Sequence, residues 1–367
     1  MTSRRRRVLL IQAWWSKRIL EGVAQYALEN NWILDCEMGW THHLPSHWRG
    51  DGIIVYADTN ANIVRYVNRH RVPVVDLATF NDYFKAHKAV ISNEQITRLA
   101  VDHLKKLGFS QFGCVLASHH PIDMLRYEYY KKIVTANGDH FKLLPLKKLA
   151  SLLPGLPKPM GLLTTNDRYS IETIRICTDN GYSVPEEFAV VGIDNTPILC
   201  DLTSVPVTSV DPDFWQNGYQ AAALLDQLMQ KKKVPKEPVV IPPLGIALRR
   251  SSDTLYIPNT DATKALQFLR NNFLHPINIS QATKDATTPI RVIQKVFRQY
   301  AGRTMVQELT RLRIEHAKKL LGNPKHKIDS IARDCGFSSR TYFIRAFRRY
   351  AGMSPKDFRK VALKSTG

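Results

Sequence analysis

The sequence predicts an α/β domain with parallel sheets, followed by an all-α domain of two helix-turn-helix units. Three observations lead to this prediction. Up to about residue 250, short Val/Ile-rich runs alternate with helical patterns. After Asp261 the apolar residues recur only three and four positions apart. In this second part FRQYAG, which begins at Phe297, returns as FRRYAG at Phe347. Alternation of strands and helices is typical of parallel sheets, and the repeat indicates a duplicated helical unit.

The strand-like runs of the first part alternate with helical segments of ten or more residues. RVLLIQA precedes RILEGVAQYALENN, GDGIIVYA precedes ANIVRYVNRH, QFGCVLAS follows ITRLAVDHLKKLG, and PMGLLTTN precedes YSIETIRICTDNG. VPVVDLA and FAVVGIDN are further strands. Gly108 and Gly181 fall just after helical segments, where glycine commonly ends a helix. These βαβ units predict a mainly parallel sheet.

The composition changes near residue 250. A Lys/Pro-rich turn, KKKVPKEPVVIPP, leads into a short strand, and LRRSSDTLYIPNTD has the composition of a connector. We therefore predict a first domain at residues 1–252, a linker at 253–261 and a second domain at 262–361.

The formal net charge of +20 is unevenly distributed. From Asn259 onward, 22 Lys and Arg face 7 Asp and Glu, which supplies +15 of the total. Such asymmetry indicates a polyanionic partner for the second domain. A basic surface that only improves solubility is the alternative.

Cysteine usage and the N-terminus favour a cytoplasmic protein. The five cysteines are scattered without CxxC spacing, which suits buried thiols in a reducing compartment and leaves a metal site without clustered ligands. The start, MTSRRRRVLLIQAWW, has too short an apolar stretch for a secretory signal, and no apolar run reaches membrane-spanning length. We expect no cofactor and no membrane partner.

The repeat extends beyond six residues. TTPIRVIQKVFRQYAGRT (residues 287–304) aligns with FSSRTYFIRAFRRYAGMS (337–354), and a shorter helix precedes each copy, ISQATKDA and IDSIARDCG. Thr288 and Ser338 are the predicted N-caps of the longer helices. Short helix, tight turn and longer helix together make a helix-turn-helix motif, whose second helix enters the major groove of DNA.

We place the two motifs at about residues 279–302 and 328–352. Between them, MVQELTRLRIEHAKKLL predicts one amphipathic helix that holds the units side by side. Its predicted apolar face consists of Val306, Leu309, Leu312, Ile314, Ala317, Leu320 and Leu321.

The second motif and its surroundings carry the signature of a known family. IDSIARDCGFSSRTYFIRAFRRYAGMSPKDFR has Gly336-Phe337-Ser338, Phe347-Arg348 and Ser354-Pro355 at the family's characteristic positions. The second domain therefore resembles the DNA-binding domain of the AraC/XylS family, which implies promoter DNA as the partner. The first motif departs from the pattern: Asp285-Ala286 replace the usual glycine-containing turn, and Pro289-Ile290 begin the helix.

Helical spacing from the two Phe residues predicts which side chains face outward. These are Arg291, Gln294 and Lys295 in the first motif, and Arg340, Thr341, Ile344 and Arg345 in the second. The resemblance implies base contacts by Arg291, Gln294, Lys295, Thr341 and Arg345. Arg and Lys pair with guanine, Gln pairs with adenine, and Thr or Ile touches a thymine methyl group. Arg298, Arg348 and Arg349, near the helix ends, are predicted to meet phosphates.

The first domain shows a second resemblance. PMGLLTTND, YSVPEEFAVVGIDN, LTSVPVTSVDPD, GYQAAALLDQLM and VVIPPLGIALRRSSD resemble the two-lobed, periplasmic-binding-protein-like sensor of the LacI/GalR regulators. The order of domains, with DNA-binding helices at the C-terminal end, resembles regulators of the xylose-operon type. The resemblance implies a sugar effector such as D-xylose, a homodimer, activation of transcription and contact with RNA polymerase.

Polar residues at the ends of the predicted strands are the candidate sugar ligands, because open α/β sheets bind ligands there. Arg126 and Asn93 are implied by the resemblance, and Trp14 and Trp15 offer faces for stacking. The predicted ligand-binding set is Trp14, Trp15, Asn93, Arg126, Asn166, Asp167, Asp194 and Asn195. Ser92 stands where that family usually has Asp, so another pentose or an unrelated effector stays open.

Three other functions are weighed against a sugar-responsive transcription factor. An enzyme is disfavoured because the chain has no GxGxxG after its first strand, no P-loop, no HExxH and no GxSxG. A transport-type sugar-binding protein does not explain the basic repeat. A non-specific architectural DNA-binding protein does not explain some 250 residues of predicted sensor.

Overall fold

The computed structural model describes residues 4–80, 83–136, 138–253, 259–322 and 326–364. The chain divides between residues 254 and 255 into two compact units. Residues 254–258 of the predicted linker lie outside the described residues.

Twelve strands are found in the described part of the first unit, six in each of two sheets. They are β1 (Arg7–Gln12), β2 (Ile33–Asp35), β3 (Gly52–Tyr56), β4 (Val74–Asp76), β5 (His87–Ile91), β6 (Gln111–Leu116), β7 (His140–Pro145), β8 (Met160–Thr164), β9 (Phe188–Ile193), β10 (Thr208–Asp211), β11 (Val239–Ile241) and β12 (Gly245–Ala247).

Each sheet forms the centre of one lobe. The first sheet has the order β11-β5-β4-β3-β1-β2 and is parallel throughout. The second has the order β12-β10-β9-β8-β6-β7 and is parallel except for β12, which runs antiparallel to β10. β9 is buried along its whole length, as expected for a strand covered on both faces. The predicted two-lobed α/β fold is confirmed.

In the described residues of the first unit, nine α-helices accompany these sheets. They are α1 (Lys17–Glu29), α2 (Met38–Thr41), α3 (Ala61–Asn68), α4 (Asn93–Lys106), α5 (Pro121–Ala136), α6 (Leu149–Leu152), α7 (Asp167–Asp179), α8 (Pro197–Asp201) and α9 (Phe214–Met229). Side-chain caps fix several starts: Ser92 Oγ accepts from Gln95 N, and Asn166 Oδ1 accepts from Tyr169 N. Ser92, the departure noted above, is thus the N-cap of α4.

The chain passes between the lobes three times, after β5, β10 and β11. Hydrogen bonds tie these crossings together: Ser92 N donates to Ile241 O (2.9 Å) and Leu244 N to Asp211 O (2.9 Å). Arg18 of α1 also makes a bidentate pair with the Asp211 carboxylate, at 2.8 and 3.0 Å. The three crossings are therefore joined to one another where the chain passes between the lobes.

The described part of the second unit is all helical. Its helices are α10 (Thr260–Asn272), α11 (Ile279–Ala282), α12 (Ile290–Ala301), α13 (Met305–Leu321), α14 (Ile328–Asp334), α15 (Arg340–Ala351) and α16 (Pro355–Lys364). α11 with α12, and α14 with α15, are the two predicted helix-turn-helix motifs. Gly302 and Gly352 end the longer helices with φ of 65° and 72°, which glycine adopts without strain.

α13 links two separate apolar cores. Met305 and Leu309 pack in the core that contains Phe297, whereas Ile314 and Leu321 pack in the core that contains Phe347. The equivalent Phe residues of the repeat thus occupy the same place in their own motifs, and both are fully buried. Because a single helix contributes to both cores, the motifs are held as one body.

Three local predictions need correction. Val306 is 53% exposed, because the first turn of α13 presents Met305 to the core instead. The N-cap of α12 is Pro289, without a side-chain cap, and Thr288 N donates to the Asp261 carboxylate (2.8 Å). The N-cap of α15 is Ser339, one residue later than predicted, and its Oγ accepts from Tyr342 N. Among the described residues, no helix has the length and apolar character needed to cross a membrane.

Candidate functional sites

A cleft of about 280 Å³ lies between the two lobes of the first unit, at the carboxyl ends of the strands. We call it the interlobe cleft. Strand ends converge here because parallel strands present their carboxyl ends to one edge of each sheet. Its lining includes Trp14, Tyr56, Asp58, Thr79, Phe80, Ser118, His120, Asp123, Arg126, Asn166, Asp194, Phe214 and Asn217.

Arg126 is the central charged group of the cleft and is 4% exposed. Its Nε donates to Asn93 Oδ1 (2.9 Å) and its Nη1 to the carbonyl of Thr165 (2.5 Å). Asp194 Oδ1 lies 3.6 Å from Nη1. These partners fix the guanidinium plane, so that Arg126 is preorganised to bind a ligand oxygen.

Asp194 stands opposite Arg126 in an unusual environment. Burial raises the pKa of its carboxyl to about 7, although the Arg126 guanidinium opposes this rise. Its backbone has φ of 107°, a strained conformation for a residue with a side chain. Near neutral pH the carboxyl thus exchanges its proton, and it can accept or donate a hydrogen bond to a ligand hydroxyl group.

Aromatic rings form one wall of the cleft. Trp14 lies 5.2 Å from Phe214 and 6.3 Å from Tyr56, measured between ring centroids. The indole of Trp14 stays 41% exposed, which leaves part of its surface free for a ligand. An apolar ring face beside charged groups matches a sugar, which has one C–H face and a rim of hydroxyl groups.

A contact between Asp58 and His120 joins the two lobes across the cleft. Asp58 follows β3 in the first lobe, His120 precedes α5 in the second, and Asp58 Oδ1 lies 2.7 Å from His120 Nε2. The edge of His120 also faces the Phe80 ring, with centroids 5.6 Å apart. His120 is not among the predicted ligand residues; its position after a strand, facing the cleft, is the signal that was missed.

The predicted ligand set divides between the cleft and its surroundings. Trp14, Arg126, Asn166 and Asp194 line the cleft. Trp15 instead packs against Trp40 of α2, with ring centroids 6.0 Å apart. Asn93 lies behind the lining and positions Arg126.

The other two predicted ligands are held by neighbouring groups. The Asp167 carboxylate accepts from Ser209 Oγ (2.5 Å) and Thr196 N (2.8 Å). Asn195 Nδ2 donates to Asp211 (3.0 Å), and its Oδ1 accepts from Arg249 (2.9 Å). Neither lines the cleft. Lining residues absent from the predicted set include Tyr56, Asp58, Phe80, His120, Asp123 and Phe214.

The second unit presents two exposed basic surfaces. The α12 surface consists of Arg291, Gln294, Lys295 and Arg298, which border one groove together with Gln299, Val306 and others. The α15 surface consists of Arg340, Thr341, Ile344, Arg345, Arg348 and Arg349. The predicted DNA-binding residues therefore lie together on the outer faces of the second helices of both motifs.

Neighbouring side chains orient the arginines of the α15 surface. Arg340 forms an ion pair with Asp329 of α14 (3.0 Å), and the Arg345 guanidinium lies 5.8 Å from the centroid of the Tyr342 ring. Arg345 keeps its donors exposed, as a base reader must. Glu308 of α13 is buried between Arg303 and Arg311. Burial by itself would raise the pKa of this carboxyl, but hydrogen bonds and charges from Arg311 and Arg303 outweigh it and lower the pKa.

Comparison with known proteins agrees with this geometry. Residues 101–252 match the periplasmic binding protein-like domain family, and residues 283–361 match a helix-turn-helix domain family. The xylose operon regulatory protein of Escherichia coli (strain K12) is 26% identical over 389 residues, which is 98% of either chain. The chain is therefore a transcription regulator that combines a periplasmic binding protein-like domain with a helix-turn-helix domain.

Two further comparisons bear on parts of this regulator. The activator RhaR of Yersinia pseudotuberculosis is 40% identical over 75 residues, 20% of this chain and 26% of RhaR. A solved structure of the xylose-binding transcription activator xylR has the same fold, with a TM-score of 0.80 and 24% identity, and 98% of this chain is covered. A LacI regulator from Alkaliphilus metalliredigens, solved with D-xylulofuranose, shares the fold of the first unit at a TM-score of 0.54.

Proposed function

We propose that this regulator binds a sugar in the interlobe cleft and responds by changing how it occupies promoter DNA. One observation carries the proposal: a cleft with an aromatic wall and buried charged groups occurs in the same chain as two exposed basic helix surfaces. A sensor and a DNA reader in one molecule allow a small ligand to control DNA binding.

D-xylose is the first candidate for the effector. Full-length relatives are named xylose operon regulatory proteins, and the cleft has room for a monosaccharide. Arg126, Asn166 and Asp194 supply hydrogen bonds to sugar hydroxyl groups, and Trp14 packs on the ring face. Asn93 positions Arg126 from behind the lining. Asp167, Asn195 and Trp15 lie outside the lining and do not contact the sugar directly.

Lobe closure is the proposed switch. Asp58 and His120 join the lobes across the cleft, and the three crossings form the joint. A sugar that binds better when the lobes are closed shifts the population toward the closed form. The difference in affinity between the two forms sets the largest possible change in DNA occupancy.

The DNA-bound regulator acts as an activator in the cytoplasm and recruits RNA polymerase to a catabolic operon. Bases are read by Arg291, Gln294, Lys295, Thr341 and Arg345, while Arg298, Arg348 and Arg349 bind phosphates. Arg340 lies beside these residues on the α15 surface and contributes to DNA binding. Two motifs in one chain read two successive stretches of major groove, so that a half-site need not be a palindrome.

One experiment tests both halves of the proposal. DNA selected from a random pool by the full-length protein is compared with unselected DNA in gel shifts, with and without D-xylose, D-ribose, L-arabinose or cellobiose. We expect preference for the selected DNA and a change in its affinity with one pentose. Equal affinity for both DNAs contradicts sequence-specific binding, and no response to any sugar contradicts the effector.

Replacing Arg345 by alanine relaxes preference at one base pair. The guanidinium reads one base edge, so its loss costs about 1–3 kcal/mol on the selected site and little on unselected DNA. Arg349→Ala is the matched control, because loss of a phosphate contact weakens binding to both DNAs alike. Equal losses for Arg345→Ala on the two DNAs would contradict base readout.

We further propose that the regulator is a homodimer joined through α8. Ile198, Leu202 and Leu248 are 68–81% exposed and lie near the ion pair between Arg249 and Asp201 (2.8 Å), which connects α8 with the residues after β12. A second copy can cover such a surface symmetrically. Leu202→Glu is expected to give monomers in sedimentation equilibrium, whereas the exposed Leu28→Glu control stays dimeric. A dimeric Leu202→Glu variant rejects this interface.

A further inference from the structure

Asp123 is a buried carboxylate of the interlobe cleft with one unpaired oxygen. It lies in the first turn of α5, is 3% exposed and lines the cleft. Its Oδ2 accepts from Ser118 Oγ at 2.5 Å, whereas its buried Oδ1 has no hydrogen-bond partner. A buried carboxylate oxygen without a donor is costly, so such an atom indicates a partner that arrives from outside.

We propose that Asp123 Oδ1 accepts a hydrogen bond from a hydroxyl group of the effector, which makes Asp123 a specificity-determining residue. Asp123 and Arg126 are three residues apart and share one face of α5, so a ligand held by Arg126 is within reach of Asp123. Neither the predicted ligand set nor the relatives' names point to this residue.

The neighbours of Asp123 cannot supply the missing donor. Ser118 has one hydroxyl proton, which it gives to Oδ2, and its oxygen accepts from His120 N (3.2 Å). Arg126 is turned toward Asn93, Thr165 and Asp194. The network therefore holds Asp123 in one orientation and leaves Oδ1 for the ligand.

The charges of the lining indicate the class of effector. Asp58, Asp123 and Asp194 face only Arg126 and His120 as cationic or potentially cationic lining groups. Both of those already have carboxylate partners, at 3.6 and 2.7 Å. A phosphate or carboxylate on the ligand would meet repulsion from Asp123. The cleft thus takes a neutral sugar, not a sugar phosphate or a uronic acid.

Calorimetric titration of the full-length protein tests this inference, which rests on the proposed sugar effector. The probes are D-xylose, its monodeoxy analogues and D-xylose 5-phosphate. In Asp123→Asn, the amide oxygen stays with Ser118 and the NH₂ group faces the ligand, so an acceptor becomes a donor. We expect Asp123→Asn to weaken D-xylose binding about 10- to 100-fold. The exposed Asp179→Asn variant serves as the control and should bind as the wild type does.

The deoxy analogues separate a direct contact from a structural effect. For the wild type, one analogue should bind more weakly than D-xylose. For Asp123→Asn, the same analogue should bind as tightly as D-xylose. Three results would overturn the inference and leave the proposed sugar effector intact. The first is equal D-xylose affinity of Asp123→Asn and the wild type, and the second is a loss of affinity shared by all deoxy analogues in both proteins. The third is tight binding of D-xylose 5-phosphate. If the wild type binds neither D-xylose nor any sugar of the panel, the effector proposal fails and this inference fails with it.

Discussion

Arg126→Met weakens effector binding about 30-fold or more, because truncating one partner of a buried, hydrogen-bonded charge pair costs roughly 2–5 kcal/mol. Arg126 is joined to Asn93, Thr165 and Asp194 at the centre of the cleft. Methionine keeps much of the volume but removes every donor. The measurement is calorimetric titration with the pentose that binds the wild type, supported by the fluorescence of Trp14 in the cleft wall.

The fold should survive this substitution. The pKa of Asp194 is already about 7, and loss of the guanidinium raises it further, so the carboxyl takes up a proton and stays buried as a neutral group. The exposed Arg175 of α7 provides the control Arg175→Met, with the same change of side chain away from the cleft. Binding within a factor of about three of the wild type by Arg126→Met would contradict its central role.

Phe347→Ala lowers the free energy of unfolding of the second unit by about 3–5 kcal/mol. The ring is fully buried and packs on Phe343 and Phe358, with centroids 5.7 and 5.5 Å apart. A unit of this size has only about 5–15 kcal/mol of stability, so the α15 surface loses order and DNA affinity falls.

The positions of the tryptophans allow unfolding of the first unit to be followed separately. All six lie in the first unit, from Trp14 to Trp215, so tryptophan fluorescence follows only that unit during urea unfolding. We expect that transition to be unchanged, while hydrogen exchange accelerates in α14 and α15. Phe347→Leu keeps most of the volume and should cost about 1 kcal/mol. Phe347→Ala with unchanged exchange and unchanged DNA affinity would show that this core does not support the α15 surface.

Much of the architecture followed from local patterns. The alternation of Val/Ile-rich runs with helices gave the α/β unit, and the repeat around Phe297 and Phe347 gave both helix-turn-helix motifs. Short edge strands such as β2, β7 and β12 were not predicted, because three to six residues with few buried positions carry little periodic signal. The N-caps of α12 and α15 lie one residue later than predicted, at Pro289 and Ser339. Ser338 and Ser339 are adjacent, and either can serve as an N-cap.

The candidate site was only partly predictable. Residues after strand ends were the right places to search, and Trp14, Arg126, Asn166 and Asp194 do line the cleft. Asp167 and Asp194 looked equivalent in sequence, yet the first is bound by Ser209 and Thr196 and the second faces Arg126. Asp58 and His120 follow strand ends but were not singled out, because the contact between them joins distant parts of the chain. Asp123 lies within α5, where the sequence carries no strand-end signal.

Periodicity, repetition and charge are properties of neighbouring residues. The amino-acid order alone therefore establishes an α/β sensor followed in the chain by a basic helical unit with two motifs. Contacts between residues far apart in the chain decide the rest. They determine which carboxylates face the cleft, which side chains join the lobes and which oxygen stays unpaired. Burial then decides the outcome, because a buried carboxylate must find a donor and the folded chain leaves Asp123 Oδ1 without one.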